Sequence, residues 1–323
     1  STATNSKLQY LQFVRQVMRL AQMKETIWLA HDMHGLLPGR LLASLHKTRL
    51  VYQSHELVDK TVRLPLGMKF VRLFHQRFAR TADLIIAPDV DRGSIMKREL
   101  QLHIDPLIVP NAPLQRVPSS GARLKTALAV RGHFFEKIVL RQSSIGPSHG
   151  IESTIRSLVH WANPLWGFVV MGPGNADYLS SLRKLAEEIG VAERFVVLPP
   201  VSYDEVLDFT PGADVGHSLY TSIDLNNHFS TTASNKLLEY MAAGLPLLVS
   251  DRPPTRALVE AHRCGVVADD SSPQSIAAAI NFLLGDRVRA SEMGRAAARA
   301  FETRFRFEVQ FQPVIEALER LSH

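Results

Sequence analysis

The chain has 323 residues, 46% of them hydrophobic and 21% charged, the balance of a globular protein of about two domains. That excludes a disordered, collagen-like or coiled-coil chain, and no apolar run reaches the roughly 20 residues of a membrane-spanning helix. Residues 1–112 hold 16 of the 37 basic and 9 of the 31 acidic side chains, so they carry +7 of the net +6 and the remainder carries −1.

In chain order, residues 8–22 form an amphipathic helix (LQYLQFVRQVMRLAQ). Short apolar runs then mark strands at 27–32, 49–55, 83–89 and 105–111, with helical stretches between them such as 36–47 and 67–83. Residues 112–136 break the rhythm, and Pro113, Pro118, Ser119, Ser120 and Gly121 read as a linker. Further strands follow at 137–144, 166–174, 194–200, 214–220, 245–251 and 265–270, alternating with helices such as 175–190 and 235–244. Strands alternating with helices predict parallel sheets with right-handed crossovers. Most of the strands are continuously apolar, as in sheets covered on both faces. The expected organisation is a first Rossmann-like domain over 1–112, a linker over 113–136, a second domain over 137–305 and a terminal helix over 306–323. There is no internal repeat and no low-complexity tract.

The basic first part suggests an anionic partner, or a solvated basic face with no partner. Within it, residues 66–80 interleave Lys69, Arg72, Arg77 and Arg80 with Phe70, Phe74 and Phe78 at helical spacing. Such a helix fits peripheral contact with an anionic membrane, or a core face backed by a solvated one. No nucleic-acid motif accompanies these residues, and nucleic acid is not an expected partner. Cys264 is the only cysteine, and residues 1–16 lack an apolar signal core. Both fit a cytoplasmic protein, at the inner face of a membrane if the basic helix binds there.

The most informative motif is SNKLLEYMAAGLPLLVSD, 234–251. Ser234 or Asn235 is expected to cap a helix that Gly244 stops. A capped helix start suits a phosphate, and Glu239, one turn inside, is placed to accept hydrogen bonds from the two hydroxyls of a ribose. The plainer alternative is a surface helix with a solvated glutamate. In AHDMHGLLPG, 30–39, His31 follows a strand and precedes a helix, where functional side chains collect. His34, His55, Asp32 and Glu56 are its neighbours in the predicted topology, but no close ligand pair of the HExxH type is present and no metal is expected.

These stretches, together with VVMGPGNADYLSSLRKLAEEIGVAERFVVLPPVSYDEV, GADVGHSLY and FETRFRFEVQ in that order, resemble the retaining glycosyltransferases of family 4. The resemblance runs from about Ile27 onward and is densest over 137–310. It implies the GT-B fold, α/β with two Rossmann-like domains facing across a cleft, and a nucleotide-sugar donor, UDP-linked, held mainly by the second domain. It assigns donor contacts to Gly172, Pro173 and Gly174, to Val201 at the base, and to Glu239 at the ribose. Ser234, Asn235 and Lys236 fall at the phosphates, with Tyr220 and loop 221–230 near the sugar and diphosphate. His31 matches the residue near the transferred sugar and is the catalytic candidate. The final helix is expected to cross back onto the first domain. No cofactor or divalent cation is implied, and the acceptor is an unidentified glycan, lipid-linked or small molecule.

The sequence departs from the family at three places. The first of its two paired glutamates falls on Thr231. The basic residues of the diphosphate loop fall on Ser144 and His149, leaving Lys236, Arg141 or Arg131 to compensate. Residues 1–26 offer a helix where a strand and Gly-rich turn are usual, so the first domain is expected to be shortened. The expected activity is retaining transfer from a nucleotide-sugar. The alternative is a degenerate homologue that binds or scaffolds without turnover. A nucleotide-sugar epimerase would need acid–base residues that do not stand out in the chain.

Overall fold

The computed structural model describes residues 2–21, 27–58, 74–114 and 120–322. The chain divides into two compact units. The first comprises Ser1–Pro110, Asp224–Asn226 and Phe307–His323, and the second Asn111–Ile223 and Asn227–Arg306.

The first unit holds a parallel sheet in the order β1 (Ile27–His31), β2 (Arg49–Gln53), β3 (Leu84–Ala87) and β4 (Leu107–Ile108). Leu50, Val51 and Tyr52 of β2 and all four residues of β3 are buried because helices cover the sheet. Val314, on the C-terminal helix Phe307–Ser322, is 1% exposed and packs with Val51, Leu84, Ile86 and Val109. Of the basic segment 66–80, residues 66–73 lie outside the described residues. Residues 74–79 are helical, and the stacked rings of Phe74 and Phe78 line a small cavity with Met33, Leu36 and Leu37. Arg77 and Arg80 are exposed.

The second unit holds six parallel strands among its described residues. They are β5 (Lys137–Gln142), β6 (Trp166–Met171), β7 (Phe195–Leu198), β8 (Val215–Ser218), β9 (Leu247–Ser250) and β10 (Gly265–Ala268), in the spatial order β10-β9-β8-β5-β6-β7. The chain builds outward from β5 through β6 and β7, then returns to the other side of β5 with β8. The gap between β5 and β8 is therefore the topological switch point, where open parallel sheets receive ligands beyond their carboxyl ends. Alternation along β5 sends Val139 into one core layer with Phe168, Val170 and Leu248, and Ile138 and Leu140 into the other with Val169, Leu237 and Val249. Each fully buried branched side chain contributes about 1.5–3 kcal/mol.

The stretch expected as a linker, 113–136, belongs to the second unit and forms the helix Ala122–Ala129. Leu124 and Leu128, four residues apart, bury one face of that helix in the second core layer, so its apolar spacing outweighs the turn residues before it. No helix among the described residues is long and apolar enough to cross a membrane.

Candidate functional site

Arg141 is the next residue to face the first core layer after Val139, and it is completely buried. Its Nη1 donates to the Leu219 carbonyl at 3.1 Å and lies 3.4 Å from His217 Nδ1 on β8. Thr154 donates its hydroxyl to the Gly150 carbonyl at 2.7 Å, so the 2.9 Å contact between Thr154 Oγ1 and His217 Nε2 requires the ring to donate there. His217 is thus neutral, with Nδ1 left to accept from Arg141. Burial and the Arg141 charge both push the proton off this ring. Nε and Nη2 of Arg141 have no hydrogen-bond partner among the described residues.

Beside Arg141 stands Tyr220, just past β8. The Arg141 guanidinium carbon lies 5.3 Å from its ring centre and Lys236 Nζ lies 4.3 Å from it. Lys236 is the second residue of the helix Asn235–Ala242, buried, and its ammonium donates to Tyr220 Oη. Ser234 Oγ completes the group, 3.2 Å from Tyr220 Oη. This helix exists because Leu237, Leu238, Tyr240 and Met241 bury its inner face, and Gly244, at φ 70°, ends it. The expected side-chain cap is absent. Ser234 has the extended N-cap backbone, but its hydroxyl turns to Tyr220, while Asn235 is exposed.

Glu239 is 4% exposed, so the alternative of a solvated surface glutamate is wrong. It accepts from Gln142 Nε2 at 2.5 Å, Gln142 Oε1 accepts from Thr210 at 2.8 Å, and Tyr240 Oη accepts from the Gln142 backbone N–H at 2.9 Å. Burial raises the Glu239 carboxyl pKa, opposed by Gln142 and Lys236. The phenol of Tyr203 lies within the electrostatic reach of Glu239. Val201, two residues before Tyr203, is half-buried against the second core layer.

The loops after β5 and β6 lie side by side. Ile145 N–H donates to the Pro173 carbonyl at 2.8 Å, and Ile145 pairs with Gly174. Gly172 has φ 148°, and a Cβ there would sit 2.0 Å from the Ser143 carbonyl oxygen. Only glycine lets the loops approach this closely. Gly172→Ala is expected to cost about 2–4 kcal/mol through overpacking and backbone strain, read as a drop in the thermal midpoint. An unchanged midpoint would show that the loop has room to move.

Ser144 is exposed and supplies no charge. His149 Nδ1 accepts from Gly146 N–H at 3.1 Å, and its ring meets Tyr220 edge-on at 5.5 Å. Burial, then Arg141 and Lys236, push its pKa down to about 3. His75, in the first unit, is lowered by burial to about 4. Unfolding lets these rings take up protons below about pH 6.5, so the unfolded state binds more protons and stability is lost as pH falls from about 6.5 toward those values. His149→Asn, which keeps an acceptor for Gly146, is expected to shallow the slope of urea-unfolding free energy between about pH 5 and 7. An unchanged slope would mean His149 is already protonated in the folded protein.

Tyr220, Ser234, Lys236 and His149 therefore converge at the switch point around Arg141. Glu239 sits on the opposite face of β5 through Gln142. Arg131 is exposed, bonded to the Ala127 carbonyl, and takes no part. Thr231 is buried. His31 lies in the first unit at the end of β1, its ring stacked on His55 with Nδ1 and Nε2 3.3 Å apart, while Asp32 accepts from the His55 amide at 2.8 Å. Among the described residues, no three His, Cys, Asp or Glu side chains converge as metal ligands. His217 and Gln142 escape notice in the sequence. Their signal is a polar side chain inside a strand whose other residues are buried.

Residues 135–300 match the model of the family described as glycosyl transferases group 1. A GDP-mannose-dependent alpha-(1-6)-phosphatidylinositol monomannoside mannosyltransferase of Mycobacterium tuberculosis is 27% identical over 170 residues, 51% of this chain and 43% of that protein. The match thus spans less than half of that relative. The protein of the same name from Mycolicibacterium smegmatis is 24% identical over 285 residues, 84% of this chain and 70% of its own length. The crystal structure of Anabaena Alr3699/HepE in complex with UDP and glucose superposes with a TM-score of 0.77 at 17% identity, covering 96% of this chain and 81% of that one. That likeness is one of fold, and the two parallel α/β sheets are those of GT-B glycosyltransferases. With its matched segment covering both the switch point and the helix at 235–242, the chain belongs to the glycosyl transferases group 1 family.

Proposed function

We propose that the protein transfers a sugar from a nucleotide-sugar to an acceptor, with retention, and binds the donor's diphosphate at the β5–β8 switch point. The observation that carries this reading is the pair Arg141 and Lys236. Both cations are buried, and neither forms a salt bridge with a carboxylate among the described residues. A buried cation with no carboxylate partner is costly to hold, and a ligand anion offsets that cost. A diphosphate does so, and fixed cations aimed at it stabilise the charge that develops on the leaving group. Ser234 and Tyr220 add hydroxyls, Gly172, Pro173 and Gly174 bring backbone close, Glu239 takes the ribose diol and Val201 the base. The relatives' names and the UDP-bound neighbour make UDP and GDP the nucleotides to test.

Ser144 and a neutral His149 supply no charge, which is the ground for the degenerate alternative. Arg141 and Lys236 provide the charge from other elements, and this favours the active enzyme. The experiment is thermal denaturation with UDP and GDP, followed by hydrolysis of UDP-glucose, UDP-N-acetylglucosamine and GDP-mannose. A nucleotide at a hundred times its Kd is expected to stabilise by about 2.7 kcal/mol. Stabilisation with no hydrolysis of any donor would support the degenerate reading, and no stabilisation would sink both. His31→Ala is expected to lower turnover about tenfold or more while changing nucleotide affinity less than threefold. Equal losses in both would move His31 to a binding role.

A further inference from the structure

Tyr220 is the one acidic hydroxyl among the cations of the switch point. Arg141 faces it from β5, and Lys236 from the helix Asn235–Ala242. His149 and His217 bring no charge, because both rings stay neutral. Glu239 is engaged with Gln142, and Tyr240 accepts from the Gln142 amide. The Lys236 ammonium reaches Tyr220 Oη directly, and Ser234 Oγ holds the same oxygen. The Tyr220 backbone is pinned by a reciprocal pair with Ser250, N–H to Oγ at 2.8 Å and Oγ–H to the carbonyl at 3.0 Å, so the ring has little freedom to leave.

We propose that Tyr220 is a positioning residue that works by proton exchange: its phenolate neutralises Lys236 before the donor binds, and the arriving diphosphate makes it take up a proton and donate its O–H to a phosphate oxygen. The step balances. Phenolate and one solvent proton give phenol, the Lys236 ammonium passes from the phenolate to the phosphate, and no redox change occurs. The inference rests on the donor-site reading above and adds to it a residue whose own charge answers the cations until the donor's anion arrives.

Electrostatics agree with the geometry. Burial alone would raise the Tyr220 phenol, but Lys236 and Arg141 outweigh it and bring its pKa down to about 7. The chain's other five tyrosines, Tyr10, Tyr52, Tyr178, Tyr203 and Tyr240, are all shifted upward, with burial the largest cause. A tyrosinate formed near neutral pH would therefore belong to Tyr220 alone. A bound diphosphate puts negative charge beside the oxygen and returns it to the neutral form. Binding then consumes a proton above about pH 7, and affinity falls by up to about tenfold per pH unit there.

The test is an ultraviolet titration of the tyrosinate band in the full chain from about pH 6 to about pH 9, with and without saturating UDP or GDP, beside calorimetry of each nucleotide. The expected result is one tyrosinate per chain with a midpoint near neutrality, shifted upward by at least one pH unit when nucleotide binds. Tyr220→Phe is expected to abolish that transition and to weaken nucleotide binding several-fold at about pH 6.5 by loss of the O–H donor. The wild-type titration carries the test if the variant does not fold. A nucleotide that binds without moving the band, or a wild-type chain with no tyrosinate below about pH 9, overturns the exchange and leaves the donor site standing. If neither nucleotide binds, the donor-site reading falls and the exchange with it.

Discussion

Arg141→Met is expected to weaken UDP or GDP binding by about a hundredfold while leaving the thermal midpoint unchanged or raised. The two effects have opposite signs because the guanidinium is poorly answered by the protein itself. It has no carboxylate partner among the described residues, and two of its nitrogens lack hydrogen bonds. Methionine fills most of the same volume in a layer of aliphatic side chains without the desolvation cost of a charge. The variant loses the hydrogen bonds to the Leu219 carbonyl and His217 Nδ1, worth about 1 kcal/mol each, and relieves a larger penalty. On the binding side, two charge-assisted hydrogen bonds to phosphate at about 1.5 kcal/mol each account for the hundredfold. Chemical denaturation and calorimetry on the same variant check both signs. A loss of more than about 2 kcal/mol of stability with binding intact would make Arg141 a structural strut.

The second large effect is at Glu239. Read from the sequence, Glu239→Ala should lose donor affinity with the fold intact. The buried contact with Gln142 changes that expectation, because truncation strands the Gln142 amide at a cost of about 1–3 kcal/mol. Glu239→Gln separates the two roles. Its amide oxygen still accepts from Gln142, and only the carboxylate that a ribose diol needs is gone. Both variants are expected to bind UDP or GDP at least tenfold more weakly, and only the alanine variant to lose stability. Binding of inorganic pyrophosphate, which reaches Arg141 and Lys236 alone, is expected to be unchanged in Glu239→Gln. The folded state holds the Glu239 proton more tightly than the unfolded chain does, so this carboxyl adds stability as pH falls through its raised pKa and Glu239→Gln loses that gain. Equal weakening of nucleotide and pyrophosphate would place Glu239 at the phosphates.

The strands were legible because their apolar runs are short, continuous and bounded by turn residues. The helix at 235–242 was legible because its periodicity is bracketed by Ser234 and Gly244. The use made of those elements was harder to read. Arg141 stands in KIVLRQ just after three apolar residues, and only the pairing of β5 with β8, Val139 opposite Val215, brings His217 and Tyr220 to it. The cap at Ser234 failed as a local rule because a tyrosine 14 residues earlier in the chain competes for its hydroxyl. The alternative of a solvated Glu239 arises for the same reason, since its partner Gln142 is 97 residues away. The helix at 122–129 was missed because prolines and serines before it outweighed two leucines.

The seating of Val314 against Val51, Leu84, Ile86 and Val109 has a bearing on how the protein is made. The ribosome delivers the whole of the second unit before it delivers the helix that completes the first unit's interior. Until then Val51 and its neighbours lack part of their cover. Of the two units, the first is therefore the later to become fully native although most of it is made before the second, and a nascent chain stalled short of residue 314 would be exposed to proteases and chaperones mainly through that unit.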